Sequence, residues 1–183
     1  MSTNELEHLS TAALIKLFKT LEAPTIEDMN GEYAAHLLAK MDGMNGLANM
    51  MIQNPVMPWQ CKAFRPVNND TGRGYNTFML GGKTIQLYAM QTCIAPSRFD
   101  GRPSYHLIYR YFHSLCGSIH MVDEVRFLKS GVYLGMGTWG FTDAQRQVAF
   151  PFLLEGPVAA YRTDIGRARK GFNIGSRELP ALA

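Results

Sequence analysis

Asp123 lies in the stretch SIHMVDEVRFL, residues 118 to 128, in register with Ile119, Met121, Val125 and Phe127. On the two-residue period of a strand these five share one face, while Ser118, His120, Val122, Glu124, Arg126 and Leu128 share the other. The face with Glu124, Arg126 and His120 reads as outer and solvated, so the carboxylate points inward. A buried ionised carboxylate is costly unless paired or hydrogen-bonded, and otherwise its pKa climbs toward values useful in proton transfer. Asp123 is therefore expected either to satisfy a neighbouring Arg, Tyr or backbone donor, or to face a ligand as polar anchor or general acid/base. A bulge that shifted the register would remove the question.

The preceding run, PSYHLIYRYF, offers partners. One face carries Ser104, His106, Ile108, Arg110 and Phe112; the other carries Tyr105, Leu107, Tyr109, Tyr111 and His113. If the tyrosine face is interior, three phenols line a cavity beside Asp123. If the other is, His106 and Arg110 do. The tyrosine version suits an apolar ligand better, because it is the more ring-rich and amphipathic face.

In VYLGMGTWGF, Gly135 and Gly137 share a face with Tyr133 and Trp139. Glycine inside a strand marks a bend or a close approach, so these positions either leave volume for a ligand or for the Asp123 side chain, or bend the wall outside. Lys62, between Gln60 and Phe64, either faces solvent or meets a ligand carboxylate. Met41, Met44, Met50, Met51 and Met57 cluster near a short predicted helix, as an adaptable lid or as a plain core plug.

The five histidines form no HxH or HExxH pair and no G-x-S-x-G occurs, so neither a metal centre nor a serine nucleophile is expected. No cofactor motif is present either; GMGTWG is not followed by a helix start, as a phosphate-binding fingerprint requires.

The elements that must position these residues follow from periodicity. Leu6, Leu9, Ala13, Leu14, Leu17, Phe18 and Leu21 predict one amphipathic helix over 3–22, with Ser2 and Glu5 as a capping box and Pro24 as its stop. GEYAAHLL reads as a strand. From Trp59 onward, seven strand-like runs alternate with turn-like separators such as NNDTGRG, Gly81-Gly82 and KSG. Links this tight join antiparallel neighbours. About eight sequential antiparallel strands tend to close, since closure removes exposed edges. The expected fold is mainly β with an N-terminal helix, a small up-and-down barrel over residues 1–161 followed by a basic tail at 162–183.

In that tail Arg162, Arg167, Arg169, Lys170 and Arg177 stand against Asp164 and Glu178, which is the whole net charge of +3. A neutral body with a short basic tail argues against a nucleic-acid partner. The tail reads as solvated, or as docking an acidic protein or a membrane surface; a homodimer is a further partner class. With no apolar run of 18 or more residues, no stable membrane insertion is expected. Cys61, Cys93 and Cys116 read as reduced thiols of a cytoplasmic protein.

IEDMNGEYAAHLL followed by WQCKAF resembles the opening of GXWXG-type proteins, in which Gly-x-Trp-x-Gly precedes a Trp-x-Gly-Lys-x-Phe-like strand. Gly31, Trp59, Lys62 and Phe64 fit; Tyr33 stands where that motif has Trp, Ala35 where it has the second Gly, and Cys61 where the later strand has Gly. The resemblance covers the first third of the chain and implies a lipocalin-like barrel without implying a reaction.

The reading that follows is a cytoplasmic barrel binding a small, largely apolar molecule, fatty-acid-like or aromatic. Its ligand is expected to meet Tyr105, Tyr111, Met121, Trp139, Arg110 and Lys62. The alternative is an isomerase, cyclase or lyase using the same pocket, with Asp123 moving a proton and Tyr109 or His106 steadying charge. A third reading is a protein-interaction module with a solid barrel.

Overall fold

The computed structural model of the protein describes residues 3–38 and 54–179. Its strands are β1 (Gly31–Leu37), β2 (Trp59–Pro66), β3 (Thr71–Leu80), β4 (Lys83–Pro96), β5 (Pro103–Ile108), β6 (Val122–Lys129), β7 (Val132–Thr138) and β8 (Phe150–Ala159). Each pairs antiparallel with its sequence neighbours, and β1 pairs with β8, so the eight strands close into an up-and-down, lipocalin-like barrel. Closure leaves no unpaired strand edge. The turn between β3 and β4 shows how the sequence dictates this locally: Gly81 and Gly82 both have positive φ, 55° and 76°, between the paired residues Leu80 and Lys83. Only glycine takes two such residues in succession without strain.

The amino-terminal helix is split. The periodicity predicts one helix over 3–22, but α1 (Thr3–Glu7) stops and α2 (Thr11–Phe18) begins anew. Ser10 is extended, and its hydroxyl accepts from the Ala13 amide at 3.2 Å, so a strong N-cap residue restarts the helix on a new axis. Ser2, half of the expected capping box, lies outside the described residues. Leu6, Leu14 and Phe18 pack against Leu134, Met136 and Leu153 on the outer wall of β7 and β8. Each such side chain taken from water stabilises the attachment by roughly 1.5–3 kcal/mol.

The strand expected over 118–128 starts four residues late. Ser114 caps a short helix, α3 (Leu115–Ser118), His120 takes a left-handed φ of 54°, and β6 begins at Val122. Asp123 nevertheless keeps the inward orientation read from its period, 3% exposed and opposite Leu107 in the β5 register.

The outer face of β6 departs from expectation. Glu124 and Arg126 do point away from the lumen, but neither is solvated: Arg126 is fully buried and Glu124 is 1% exposed. The turn from Ser97 to Arg102 and the end of α2 fold over them. Arg126 forks onto both carboxylate oxygens of Asp100 at 2.7 Å and donates to the Phe18 carbonyl at 3.0 Å. Burial raises the Glu124 pKa, and the Arg98 amide donates to its Oε1 at 3.0 Å. Alternation tells which face a residue takes and says nothing of what covers that face.

The remaining short helix, α4 (Asp143–Arg146), links β7 and β8 behind a Thr142 and Gln145 capping box. After β8 the chain runs back over the barrel wall. Arg162 pairs with Glu32 at 3.0 Å, Asp164 bridges Arg65 and Arg73 at 2.6 and 3.1 Å, and Glu178 contacts His120 at 3.2 Å. The described part of the basic segment is thus a strap with buried anchors at Glu178 and Leu179.

Candidate functional site

The lumen has two layers. Deep in the barrel Tyr33, Phe64, Tyr105 and Tyr133 interlock with centroids 5.6–5.7 Å apart, Tyr33–Tyr133 and Phe64–Tyr105 edge to face and Tyr33–Phe64 tilted, leaving that end solid. At the other end, where β1 finishes and β2 starts, a cavity of about 40 Å³ remains. Apolar side chains including Leu37, Phe78, Phe150 and Phe152 line it, and Leu37, Trp59 and Tyr88 at its rim are half-buried.

Four polar side chains meet in this cavity. The Lys62 Nζ stands 2.7 Å from Asp123 Oδ2, donates to the Tyr109 hydroxyl at 2.6 Å and donates to Asn76 Oδ1 at 3.0 Å. Tyr109 in turn donates to Asp123 Oδ2 at 2.9 Å and accepts from Asn76 Nδ2 at 3.2 Å. Trp59 Nε1 donates to Asn76 Oδ1 at 3.1 Å. The rings of Trp59, Tyr109 and Phe152 surround the ammonium with centroids 5.1–5.3 Å away.

The topology explains how distant residues converge. Lys62 and Asn76 are cross-strand partners on β2 and β3, while Asp123 and Gly137 are partners on β6 and β7 across the lumen. Gly135 and Gly137 of VYLGMGTWGF face inward, and each yields space to a named neighbour. A Cβ at Gly135 would lie 2.1 Å from the Phe152 ring, and one at Gly137 would lie 3.0 Å from Asp123 Oδ1.

Burial sets the protonation of the surroundings. Tyr109 is held well above the usual phenol range by desolvation and by the Asp123 charge, so it stays a neutral donor. Burial pushes the Cys116 thiol, which also lines the cavity, up to about 12, so it is no nucleophile at neutral pH.

Of the residues singled out from the sequence, Asp123, Tyr109, Lys62 and Met121 line the cavity. Tyr105 faces inward too, but in the solid layer, with its hydroxyl donating to Thr92 Oγ1 at 2.8 Å. The chain leaves β5 at Ile108 through a 3-10 turn, Tyr109–Tyr111, which breaks the alternation. Tyr111 therefore packs edge-on with Phe112 and Phe172 outside the lumen, and Arg110 donates to the Gly117 carbonyl at 3.2 Å. Trp139 packs half-buried on the core cluster rather than lining the cavity.

His106 is buried on the outer face, turned away from Asp123. Its Nε2 lies 3.1 Å from the Ala95 carbonyl, and burial lowers its pKa to about 3, so it is neutral. Met41, Met44, Met50 and Met51 lie outside the described residues; Met57 is half-buried.

Asn76 and Trp59 were not recognised as site residues from the sequence. The signal for Asn76 was the same as for Asp123: a polar residue in register with Phe78 on an otherwise apolar face. Among the described residues no group of three or more His, Cys, Asp or Glu side chains could hold a metal ion, and no helix is long and apolar enough to cross a membrane.

No family model matches the chain, and no curated protein matches it in sequence. A solved protein structure from Thermomonospora curvata is similar over 80% of this chain and 87% of its own, with a TM-score of 0.56 and 14% identity. At that identity the likeness extends to the fold and no further.

Proposed function

We propose that the protein binds a small, largely apolar molecule in the cavity at the end of its barrel where β1 finishes and β2 starts, and orients it by the polar cluster around Asp123. The observation that carries this reading is the Lys62–Asp123 ion pair, 2.7 Å long and about 95% buried, at an otherwise apolar cavity. Replacing a buried ion pair by well-packed apolar residues is often neutral or stabilising, so such a pair is weak as a stability device. Its position at a cavity wall gives it another use. The cavity of about 40 Å³ is well short of the roughly 150 Å³ that encloses a benzene ring, so it admits the polar head of a small molecule, whose apolar body would lie along the half-buried Leu37, Trp59 and Tyr88 at the rim.

The similarity of residues 26–38 and 59–64 to the GXWXG-type pattern belongs to the same proposal. What supports it is that two of the fitting positions, Trp59 and Lys62, meet at the cluster. We also read the protein as cytoplasmic, on its three free cysteines.

Native mass spectrometry after mild purification, paired with titration of an environment-sensitive fluorescent aromatic probe, tests the binding reading. A retained apolar molecule or saturable probe binding is expected. A protein that is consistently empty and leaves the probe unbound overturns it.

One observation favours a second reading, acid/base catalysis by an isomerase, cyclase or lyase. Asp123 is a carboxylate at the cavity wall, fixed in place by the Lys62 ammonium and the Tyr109 hydroxyl, where it can exchange a proton with a molecule in the cavity. On this reading Asp123→Asn abolishes turnover and leaves ligand affinity within a few-fold.

A further inference from the structure

The hydrogen-bonding capacity of the cluster is unevenly used, and the unused part points at the cavity. An ammonium has three protons, and three oxygens already lie within 2.6–3.0 Å of the Lys62 Nζ. Three aromatic rings close around the rest of it. The Tyr109 hydroxyl has one proton and two lone pairs, and its contacts with Asp123, Lys62 and Asn76 use all three. Asn76 Oδ1 accepts from both Trp59 and Lys62.

Asp123 is different. Lys62 and Tyr109 both converge on Oδ2, and among the described residues no hydrogen bond falls on Oδ1. Oδ1 lies over Gly137, where the missing side chain keeps space open, and both residues line the cavity.

Resting on the binding reading above, we infer that the cavity selects ligands whose polar head is a hydrogen-bond donor, an aromatic hydroxyl or N–H, delivered to Asp123 Oδ1. The cation that a sequence reader would assign to a ligand carboxylate is spent inside the protein. A carboxylate entering the cavity would meet Asp123 as a like charge with no donor free to receive it. In the acid/base reading the same oxygen is the one that takes the proton.

Isothermal titration calorimetry with 4-methylphenol, 4-methylbenzoate and toluene, three probes of one ring size, tests the inference. The phenol is expected to bind at least about tenfold tighter than either of the others. Equal or tighter binding of the benzoate, or toluene matching the phenol, overturns the head-group selection while leaving a binding barrel in place. Failure of all three to bind overturns the binding reading itself.

Asp123→Asn is expected to erase the preference for the phenol. Because that variant leaves Lys62 without its counter-charge, Gly137→Ala provides a second arm that keeps both charges. It should weaken 4-methylphenol about tenfold with a smaller effect on toluene, and an unchanged phenol affinity in a folded Gly137→Ala protein counts against the assigned oxygen.

Discussion

Gly137 faces Asp123 across the β6–β7 ladder, and the side chain the glycine lacks is the space the carboxylate uses: a Cβ there would stand 3.0 Å from Oδ1 and 3.5 Å from the Phe150 carbonyl. Since Oδ2 is pinned by Lys62 and Tyr109, the carboxylate has little freedom to step aside. Gly137→Ala should therefore cost about 1 kcal/mol, at the low end for an overfilled core. Gly135→Ala puts its methyl 2.1 Å from the Phe152 ring and should cost about 3 kcal/mol or more. Urea denaturation of the two variants checks the order; Gly137→Ala as the more damaging change would contradict the packing.

Lys62 and Asp123 should behave as a coupled pair. Lys62→Met leaves a carboxylate buried without its cation, and Asp123→Asn leaves an ammonium without its anion; each is expected to destabilise by about 3–5 kcal/mol. The double variant removes both charges and should be less damaging than the sum of the singles by more than about 1 kcal/mol. A double-mutant cycle by chemical denaturation measures this, and additivity would sink the claim that the ion pair is intact in solution.

His106 makes the protein acid-sensitive. Its folded pKa is lowered to about 3 by burial, against about 6.5 for an unfolded histidine. The unfolded chain takes up a proton that the folded chain refuses, so the contribution is whole above about pH 6.5 and is lost as pH falls toward 3. His106→Gln, whose amide can still donate toward Ala95, should flatten the dependence of the urea midpoint on pH between about 4 and 6.5. An unchanged slope would show that other groups govern acid unfolding.

At the alkaline end the tyrosines act with the opposite sign. Tyr33 and Tyr75 are pushed up to about 12 by burial, and Tyr105 and Tyr109 are also raised. The unfolded chain loses these protons near pH 10 while the folded chain holds them, so stability is complete below about 10 and falls as pH rises toward 12. Ultraviolet titration of phenolate should therefore show a large late rise coincident with unfolding by circular dichroism; full ionisation before unfolding would contradict the burial.

The strap should matter to the fold. Removing residues 163–183 exposes the contacts of Leu179 and breaks the Asp164 bridges to Arg65 and Arg73 and the Glu178 contact with His120. Burial of one leucine alone is worth roughly 1.5–3 kcal/mol, which for a chain of this size is a fall in Tm of about 3–12 °C. Differential scanning calorimetry checks it, and an unchanged Tm would make the segment a passive tail.

The barrel was legible in the sequence because its cause is local. Two-residue alternation, tight turns such as Gly81-Gly82 and the sequential order of strands leave antiparallel closure as the economical arrangement. The inward direction of Asp123 holds through its register with Val125; Ile119 and Met121 precede the strand, and Phe127, expected inside, is 42% exposed near its end. The break of the helix at Ser10 was written in a residue type, since serine caps helices, yet the apolar period ran through it and hid it.

What only the tertiary structure decided is which groups meet. Lys62 and Asp123 are 61 positions apart on strands that face each other across the lumen, and no periodicity states that distance. Tyr109 enters the cluster and Tyr111 leaves the lumen because β5 ends at Ile108 and both lie in the 3-10 turn that follows, which breaks the alternation. Arg126, on what reads as a solvated face, is buried because a turn and the end of a helix from elsewhere in the chain lie over it. Sequence period assigns a side chain to a face through local backbone geometry; what stands opposite or above that face is set by closure and by long-range packing, so Asp123 and Lys62 were each visible in the chain and their pairing was not.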